Sequence, residues 1–174
     1  AIEQKKKIRV VGDYDIDGMC ASYILVTGLH RIGAQVDCDI PDRIKDGYGI
    51  NAQIIEKAAA DGIALIITCD NGIAAFEAME YAHQMGIDVI ITDHHEVFKE
   101  EGKDRLPLAK AIINPKQADC TYPFDGICGA VVAWKLVELF YRFFDVSYEE
   151  WKLLLSVAAI ATVGDVMQLK DENR

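Results

Sequence analysis

Five short β-rich apolar runs alternate with segments of helical periodicity along this chain of 174 residues. The runs predict strands at residues 8–11, 35–40, 63–68, 88–92 and 111–113, and the other segments predict helices at 18–32, 52–60 and 74–85 and a mainly helical tail at 129–161. Parallel strands need a crossover between them, which a helix usually provides. The alternation therefore predicts an α/β fold, with a doubly wound, mostly parallel five-stranded sheet, helices on both faces and a helical C-terminal part.

Composition limits the classes of protein to consider. Hydrophobic residues make up 51% of the chain and charged residues 26%, which is typical of a globular domain and excludes a disordered or fibrous protein. The chain carries 18 basic and 28 acidic residues, a formal net charge of −10. Because a basic surface usually marks a nucleic-acid-binding protein, composition alone argues against that class.

Cysteine usage and the chain ends bear on location. The five cysteines form no C-x-x-C pair, zinc pattern or even disulfide set, which fits the reducing cytoplasm. The longest nearly apolar run, residues 153–163, is too short to cross a bilayer, so we expect no membrane association. Because the chain starts without Met and stops in a charged stretch, we expect residues 1–174 to be one domain of a longer protein.

Three carboxylates follow the first predicted strand at alternate positions, in Gly12-Asp13-Tyr14-Asp15-Ile16-Asp17-Gly18. The spacing matches the start of an EF-hand loop, but Ile24 stands where that loop needs its bidentate Glu, and a strand precedes the motif instead of a helix. Clustered carboxylates repel one another unless cations or hydrogen-bond donors compensate their charge. The motif therefore predicts either a cation site or a solvated capping loop.

Residues 62–68 and 86–92 repeat one pattern, a glycine followed by an apolar strand that ends in Thr. Asp70 and His94 each lie two residues beyond that Thr, so we expect both at the carboxyl edge of the sheet, where ligands of open α/β folds bind. His94 stands within Asp93-His94-His95. Imidazole and carboxylate together suit Mn²⁺, Fe²⁺ or Zn²⁺.

A further acid, Asp165, follows the apolar tail helix and on its own reads as a turn that ends the helix. Added to the earlier candidates it completes a set of potential ligands: Asp15, Asp17, Asp70, His94 and Asp165. Five protein ligands exceed what one catalytic metal usually takes, so two metals are the simpler interpretation, and paired metals are typical of phosphoester hydrolysis. Cys69 as a thiol nucleophile is the alternative, but a buried strand residue is favoured there.

These motifs resemble the DHH phosphoesterase superfamily and, within it, the core domain of the RecJ family of single-strand-specific 5′→3′ DNA exonucleases. The acidic loop, the turn Asp70-Asn71-Gly72-Ile73 and the triplet Asp93-His94-His95 carry the superfamily resemblance. The RecJ branch is suggested by Pro41-Asp42-Arg43, Gly47-Tyr48-Gly49, Asn114-Pro115, Tyr122-Pro123, Cys128-Gly129-Ala130 and Ala161-Thr162-Val163-Gly164-Asp165-Val166-Met167. The resemblance covers almost the whole chain.

The resemblance implies two Mn²⁺ or Mg²⁺ ions held by the five potential ligands, with Asp70 bridging them. It gives Asp13 a place among the ligands or behind them, and His95 a contact with the scissile phosphate or the metals. Catalysis would then involve Asp15, Asp17, Asp70, His94, His95 and Asp165, with a water activated by the two metals attacking phosphorus.

The implied activity is hydrolysis of single-stranded DNA in repair and recombination, with repair or replication proteins as further partners. Relatives of this kind carry a C-terminal substrate-binding domain, which we expect to be missing here, so the fragment should bind metal but cleave DNA weakly. Alternatives are a DHH phosphodiesterase for nanoRNA or cyclic dinucleotides, an adenosine bisphosphate phosphatase, or a non-catalytic replication scaffold. Two divalent ions would return charge to the acidic cleft, which weakens the argument from composition against nucleic acid.

Two further sets of residues remain open. The aromatic residues of the tail are predicted to form core, or the face toward the missing domain: Trp134, Phe140, Tyr141, Phe143, Phe144 and Trp151. Arg43, Lys45 and Lys116 lie in loops after strands, where contact with phosphate and plain solvation are equally compatible with the sequence.

Overall fold

The computed structural model describes residues 1–42 and 49–174, and its main element is a parallel sheet. The strands are β1 (Lys7–Val11), β2 (Gln35–Asp39), β3 (Ile63–Cys69), β4 (Asp88–Thr92), β5 (Lys99–Glu100), β6 (Lys103–Asp104) and β7 (Ala111–Ile113). Within the described residues, five of them form one sheet in the order β2-β1-β3-β4-β7, while β5 and β6 form a separate antiparallel pair. The predicted parallel five-stranded sheet is confirmed.

Helices cover both faces of this sheet. They are α1 (Ile16–Arg31), α2 (Ala52–Ala60), α3 (Phe76–Gln84), α4 (Gly129–Phe143), α5 (Tyr148–Leu153) and α6 (Leu155–Gly164). Two separate hydrophobic clusters result, one shared by α1, α4 and α6 and the other by α2 and α3. The doubly wound α/β prediction is therefore confirmed, and no helix in the described residues is both long and apolar enough to span a membrane.

Most boundaries agree with the prediction to within two residues, and three differences are informative. Helix α1 begins at Ile16 instead of residue 18, because Asp15 caps it by accepting a hydrogen bond from the Gly18 N–H at 2.8 Å. The helical tail is three helices, interrupted after α4 where Asp145 takes a φ of 55°. The hairpin β5–β6 was not predicted, because strands of two residues are too short to show an alternating pattern.

The tail aromatics divide between core and surface. Trp134 and Trp151 stack with ring centroids 4.2 Å apart, and each indole N–H donates to the backbone oxygen of the other residue, at 3.2 and 3.3 Å. Both are buried, as is Tyr141, so the core prediction is confirmed for these three. Phe143 at the end of α4 is 80% exposed instead.

Candidate metal centre

The carboxyl ends of β3 and β4 place their polar residues side by side. Cys69 pairs with Thr92, one residue out of step with the sequence repeat, and the Asp70 N–H continues the ladder by donating to the Thr92 oxygen at 3.0 Å. Asp93 likewise donates its N–H to Ile113 on β7 at 3.0 Å. Backbone bonds thus fix the start of both motifs at one edge of the sheet.

The predicted ligands converge on one imidazole nitrogen. His94 Nε2 lies 3.1 Å from Asp70 Oδ1, 3.5 Å from Asp17 Oδ2 and 3.7 Å from Asp165 Oδ2. These four side chains come from the ends of β3 and β4, the first turn of α1 and the C-cap of α6. Residues far apart in the sequence therefore meet in one buried cluster, as the prediction required.

Three groups of side chains place possible ligand atoms within 4.8 Å of one another. They are Asp17, His94 and Asp165; Asp70, His94 and His95; and Asp13, Asp15 and Asp70. Asp70 and His94 each belong to two groups, an arrangement that suits two neighbouring cations with shared ligands. All seven site residues predicted from the sequence are thus brought together.

Asp17 is bound by the start of helix α4. Its Oδ2 accepts from the Gly129 N–H at 2.6 Å and its Oδ1 from the Ala130 N–H at 2.7 Å. These amides have no partner within the helix, and the helix dipole favours a negative charge beside them. A Cβ on Gly129 would lie 2.7 Å from the Asp70 Cβ, so only glycine lets α4 approach this closely. The resemblance had marked this segment without giving a physical reason for it.

Asp93 organises the two histidines and was not predicted as a site residue. Its Oδ1 accepts from the His94 and His95 N–H groups at 2.8 and 3.1 Å and lies 2.8 Å from His95 Nδ1, while its Oδ2 accepts from the Ile73 N–H at 2.9 Å. Burial alone would raise the pKa of Asp93, but the bonds from His95 and Ile73 outweigh it and lower the pKa. The ionised carboxylate thus fixes the turn that carries both histidines. Its place in the triplet Asp93-His94-His95 was the sequence signal that could have identified Asp93 as a site residue.

His95 faces the open side of the site. Its hydrogen bond to Asp93 raises the pKa of the imidazole, and 46% of the side chain is exposed. Buried Asn114, after β7, donates from Nδ2 to the His95 backbone oxygen at 2.9 Å. Asp93 therefore orients the ring, while Asn114 fixes the backbone of the same residue.

The electrostatics of the cluster fit added cations. Burial, and then the charges of Asp17 and Asp15, raise the pKa of both Asp70 and Asp165. His94 acts to lower the pKa of Asp165, but this effect is smaller than that of burial. Within the described residues, Asp13 Oδ1 is buried without a hydrogen-bond partner. A divalent cation would satisfy such an oxygen and offset the repulsion, and a mixed imidazole and carboxylate set suits Mn²⁺.

The remaining candidates fall outside this cluster. Cys69 is fully buried in β3 and burial raises the pKa of its thiol, which confirms the buried strand residue and argues against a nucleophile. Lys116 Nζ pairs with Glu96 Oε1 at 2.9 Å. Arg43 and Lys45 lie outside the described residues, as do parts of the two motifs that contain Arg43 and Tyr48.

Comparison with known proteins gives the family. The family model described as DHH family, N-terminal domain, matches residues 7–164. The single-stranded-DNA-specific exonuclease RecJ of Bacillus subtilis is 45% identical over all 174 residues, and that of Escherichia coli is 36% identical with the whole chain covered. The chain spans only 21% and 31% of the lengths of these two relatives.

Solved structures agree with the sequence match. An exonuclease RecJ bound to manganese superposes on the whole chain with a TM-score of 0.86 and 31% identity, over 42% of that protein. RecJ in complex with Mn²⁺ from Thermus thermophilus gives a TM-score of 0.78 at 29% identity, over 24% of its length. CDC45 from Entamoeba histolytica shares the fold alone, at 12% identity and a TM-score of 0.58. The chain therefore belongs to the DHH family, as its motifs predicted.

Proposed function

We propose that this chain is the catalytic core of a single-stranded-DNA-specific exonuclease that hydrolyses phosphodiester bonds with two Mn²⁺ or Mg²⁺ ions. The observation that carries the proposal is the convergence of Asp17, Asp70 and Asp165 on His94 Nε2. The names of the similar exonucleases support the substrate class, and the manganese in two similar structures supports the cofactor.

The donor groups suggest how the ions are held. Asp17, His94 and Asp165 would bind one ion, and Asp13 and Asp15 would bind the second, with Asp70 shared between them. When bound, such a pair of ions supplies activation of the attacking water and neutralisation of charge on the phosphate. The retained donor set argues against a non-catalytic scaffold, which would be free to lose it.

The chain's own groups position the reaction. Asp93 and Asn114 hold His95 so that its ring can donate a hydrogen bond to the scissile phosphate. The backbone N–H groups of Gly129 and Ala130 at the start of α4 would keep Asp17 in place when the cations bind. Because the ions supply both activation and charge neutralisation, the reaction needs no separate protein base.

The wider assignment follows from the same proposal. The chain would form the N-terminal core of a longer protein whose C-terminal domain holds the strand, with 5′→3′ digestion, a role in DNA repair and recombination, and repair or replication proteins as partners. A cytoplasmic location is supported by the five free cysteines of the described residues.

The direct test is cleavage of 5′-labelled single-stranded DNA, duplex DNA and a dinucleotide by this chain with Mn²⁺. We expect slow, Mn²⁺-dependent release of mononucleotides from the single strand, abolished by EDTA and by Asp165→Asn. Asp37→Asn is the matched control, because Asp37 pairs with Arg9 away from the cluster and should leave cleavage unchanged. A preference for the dinucleotide, or cleavage indifferent to metal, would contradict the proposal.

A further inference from the structure

A cavity of about 480 Å³ opens beside the metal centre and shares His95 with it. One wall is the turn of residues 71–75 after β3, a second wall includes Asp93, His95 and Glu96 after β4, and Gly49 and Ile50 complete the lining. We call this cavity the slot. Its size lies within the range of small-molecule pockets and is ample for one nucleoside.

The slot has the chemistry of a site for an uncharged group. Gly72, Ile73 and Ala74 give its first wall a small, apolar surface. On the second wall, the charge of Glu96 is paired with Lys116 at 2.9 Å, and both Asp93 oxygens already accept hydrogen bonds. The turn of residues 71–75 therefore offers a sugar or base apolar contact, beside the His95 ring that faces the phosphate.

A second feature adjoins the slot, a set of two phenylalanines and one arginine that we call the ring cluster. The Arg105 guanidinium carbon lies 4.5 Å from the ring centroid of Phe76 and 5.9 Å from that of Phe98. The two rings meet edge to face, with centroids 6.2 Å apart. The Arg105 backbone N–H donates to the Phe98 backbone oxygen at 2.8 Å, so the ends of the hairpin β5–β6 keep these two residues side by side.

The ring cluster is held together by these contacts but is open to solvent. Phe98 is 51% exposed and the Arg105 side chain 48% exposed. The carboxylate of Glu100 lies 3.8 Å from Arg105 Nε, at the outer limit of an ion pair. An aromatic face and a weakly paired guanidinium are the groups on which bases of a single strand stack.

Chain continuity joins the two features. Phe76 directly follows Ala75, the last residue of one slot wall, and Phe98 lies two residues beyond Glu96 on the other. The order from the metal centre is therefore a site for phosphate, an apolar slot, and an exposed ring with a cation. That order matches a phosphate, the nucleoside joined to it and the base of a further nucleotide along a single strand.

We propose that the slot and the ring cluster form a path for single-stranded nucleic acid, with one nucleoside in the slot and a further base stacked on Phe98 and Arg105. The proposal rests on the proposed function, since it assumes that a phosphodiester lies at the metal centre. A duplex is excluded from such a path because its bases are already paired and stacked.

The test measures binding of a fluorescent, phosphorothioate-linked 12-mer of thymidylate to the Mn²⁺-loaded chain by anisotropy. Phe98→Ala and Arg105→Ala should each weaken binding about 5- to 50-fold, the range expected for loss of one stacked base. Phe98→Trp should retain the affinity, because the stacking face remains. Phe143→Ala and Arg142→Ala remove the same residue types from the exposed end of α4 and should leave binding unchanged.

Two further readouts separate this path from the proposed function. Phe98→Ala should hydrolyse bis(p-nitrophenyl) phosphate within about twofold of the wild-type rate, because this small ester does not reach the ring cluster. Ala74→Leu should weaken binding of thymidine 5′-monophosphate by filling the slot. If Phe98→Ala and Phe98→Leu lower the melting temperature but leave 12-mer affinity unchanged, the rings only pin the hairpin and the proposal is overturned. If the wild-type chain showed no Mn²⁺-dependent hydrolysis of the small ester, that result would instead contradict the proposed function.

Discussion

Two clusters of acids lie along strand β1 and differ in how their charge is compensated. On β1 itself, Arg9 Nη2 lies 2.7 Å from Asp37 Oδ2 and 2.8 Å from Asp61 Oδ2. The Arg9 hydrogen bond holds the pKa of Asp37 below its ordinary value, although partial burial opposes it. Beyond the end of β1, the metal-centre acids face one another, and the pKa of Asp70 is raised.

The difference shows which cluster the fold completes by itself. The Arg9 cluster has its own cation, which holds Asp37 ionised and stabilises the folded chain. In the metal centre, burial and the charges of Asp17 and Asp15 raise the pKa of Asp70, so its ionised form is disfavoured until a cation binds beside it. Self-contained charge pairs indicate structure, and unfinished ones indicate a binding site.

The largest expected effect is that of Asp70→Asn. Cleavage should fall about a thousandfold, because a shared metal ligand contributes several kcal/mol to the transition state. The metal-free variant should nevertheless melt about 2–4 °C above wild type, since the change removes roughly 1 kcal/mol of repulsion and Asn tolerates the φ of 60° at this position. Differential scanning calorimetry with EDTA and with Mn²⁺ measures both states. A lower melting temperature without metal would show that the acids are compensated internally.

Arg9→Met should destabilise the folded chain and leave the metal centre intact, the reverse of Asp70→Asn. Arg9 is 5% exposed, and its removal leaves two acids without their cation. Because the side chains of Asp37 and Asp61 are half exposed, we expect a loss of about 2–3 kcal/mol of unfolding free energy, less than for a fully buried pair. Urea denaturation checks this value, and Mn²⁺ titration should give unchanged stoichiometry. Weakened Mn²⁺ binding would mean that the two clusters are coupled.

Asp17→Asn tests an acid of the metal centre whose charge the start of α4 compensates. Its carboxylate accepts two short N–H bonds from α4, and an amide would turn its NH₂ group toward one of these donors. We expect a loss of about 2 kcal/mol of unfolding free energy in EDTA, the size of a hydrogen bond to a charged group. The sign is thus opposite to that of Asp70→Asn. If both variants were stabilised, the α4 amides would not offset the charge of Asp17.

The smallest expected effect is a difference in pH dependence. The lowered pKa of Asp37 means that its contribution is present above about pH 4 and is lost as the pH falls further. The raised pKa of Asp70 means the reverse, with stability present below about pH 4 and lost as the pH rises toward its folded pKa. The unfolding free energy, measured by urea denaturation in EDTA, should therefore depend less on pH on the acid side in Asp37→Asn, by less than about 1 kcal/mol. In Asp70→Asn it should depend less on pH on the alkaline side. Exposed Asp119→Asn should follow the wild-type curve, and parallel curves for all variants would refute the comparison.

Most of the sheet was predictable because its signals are local. The boundaries of β4 and β7 agree with the prediction, and the repeated strand pattern correctly anticipated that Asp70 and His94 meet. Asp165 was predicted only by adding donors together, and it lies 3.7 Å from His94 Nε2. Whether these residues bind metal remains a prediction.

The missed features depend on contacts between distant segments. No periodicity links Asp17 to the Gly129 amide, which are 112 residues apart. The ring cluster was missed because it depends on the hairpin β5–β6, which places Arg105 against Phe76 and Phe98. The aromatic residues that the sequence analysis did consider lie in the tail, where Trp134 and Tyr141 are core as predicted.

The sequence by itself determined the parallel α/β fold and the placement of acids and histidines after strand ends, since strand periodicity and the residues next to it are encoded within a few positions. Only the tertiary structure decided how each charge is compensated. Arg9 reaches Asp37 and Asp61, and α4 reaches Asp17, through packing that no short segment specifies. An ionised group is stabilised or destabilised by whatever lies within a few ångströms, and that neighbourhood exists only in the folded chain.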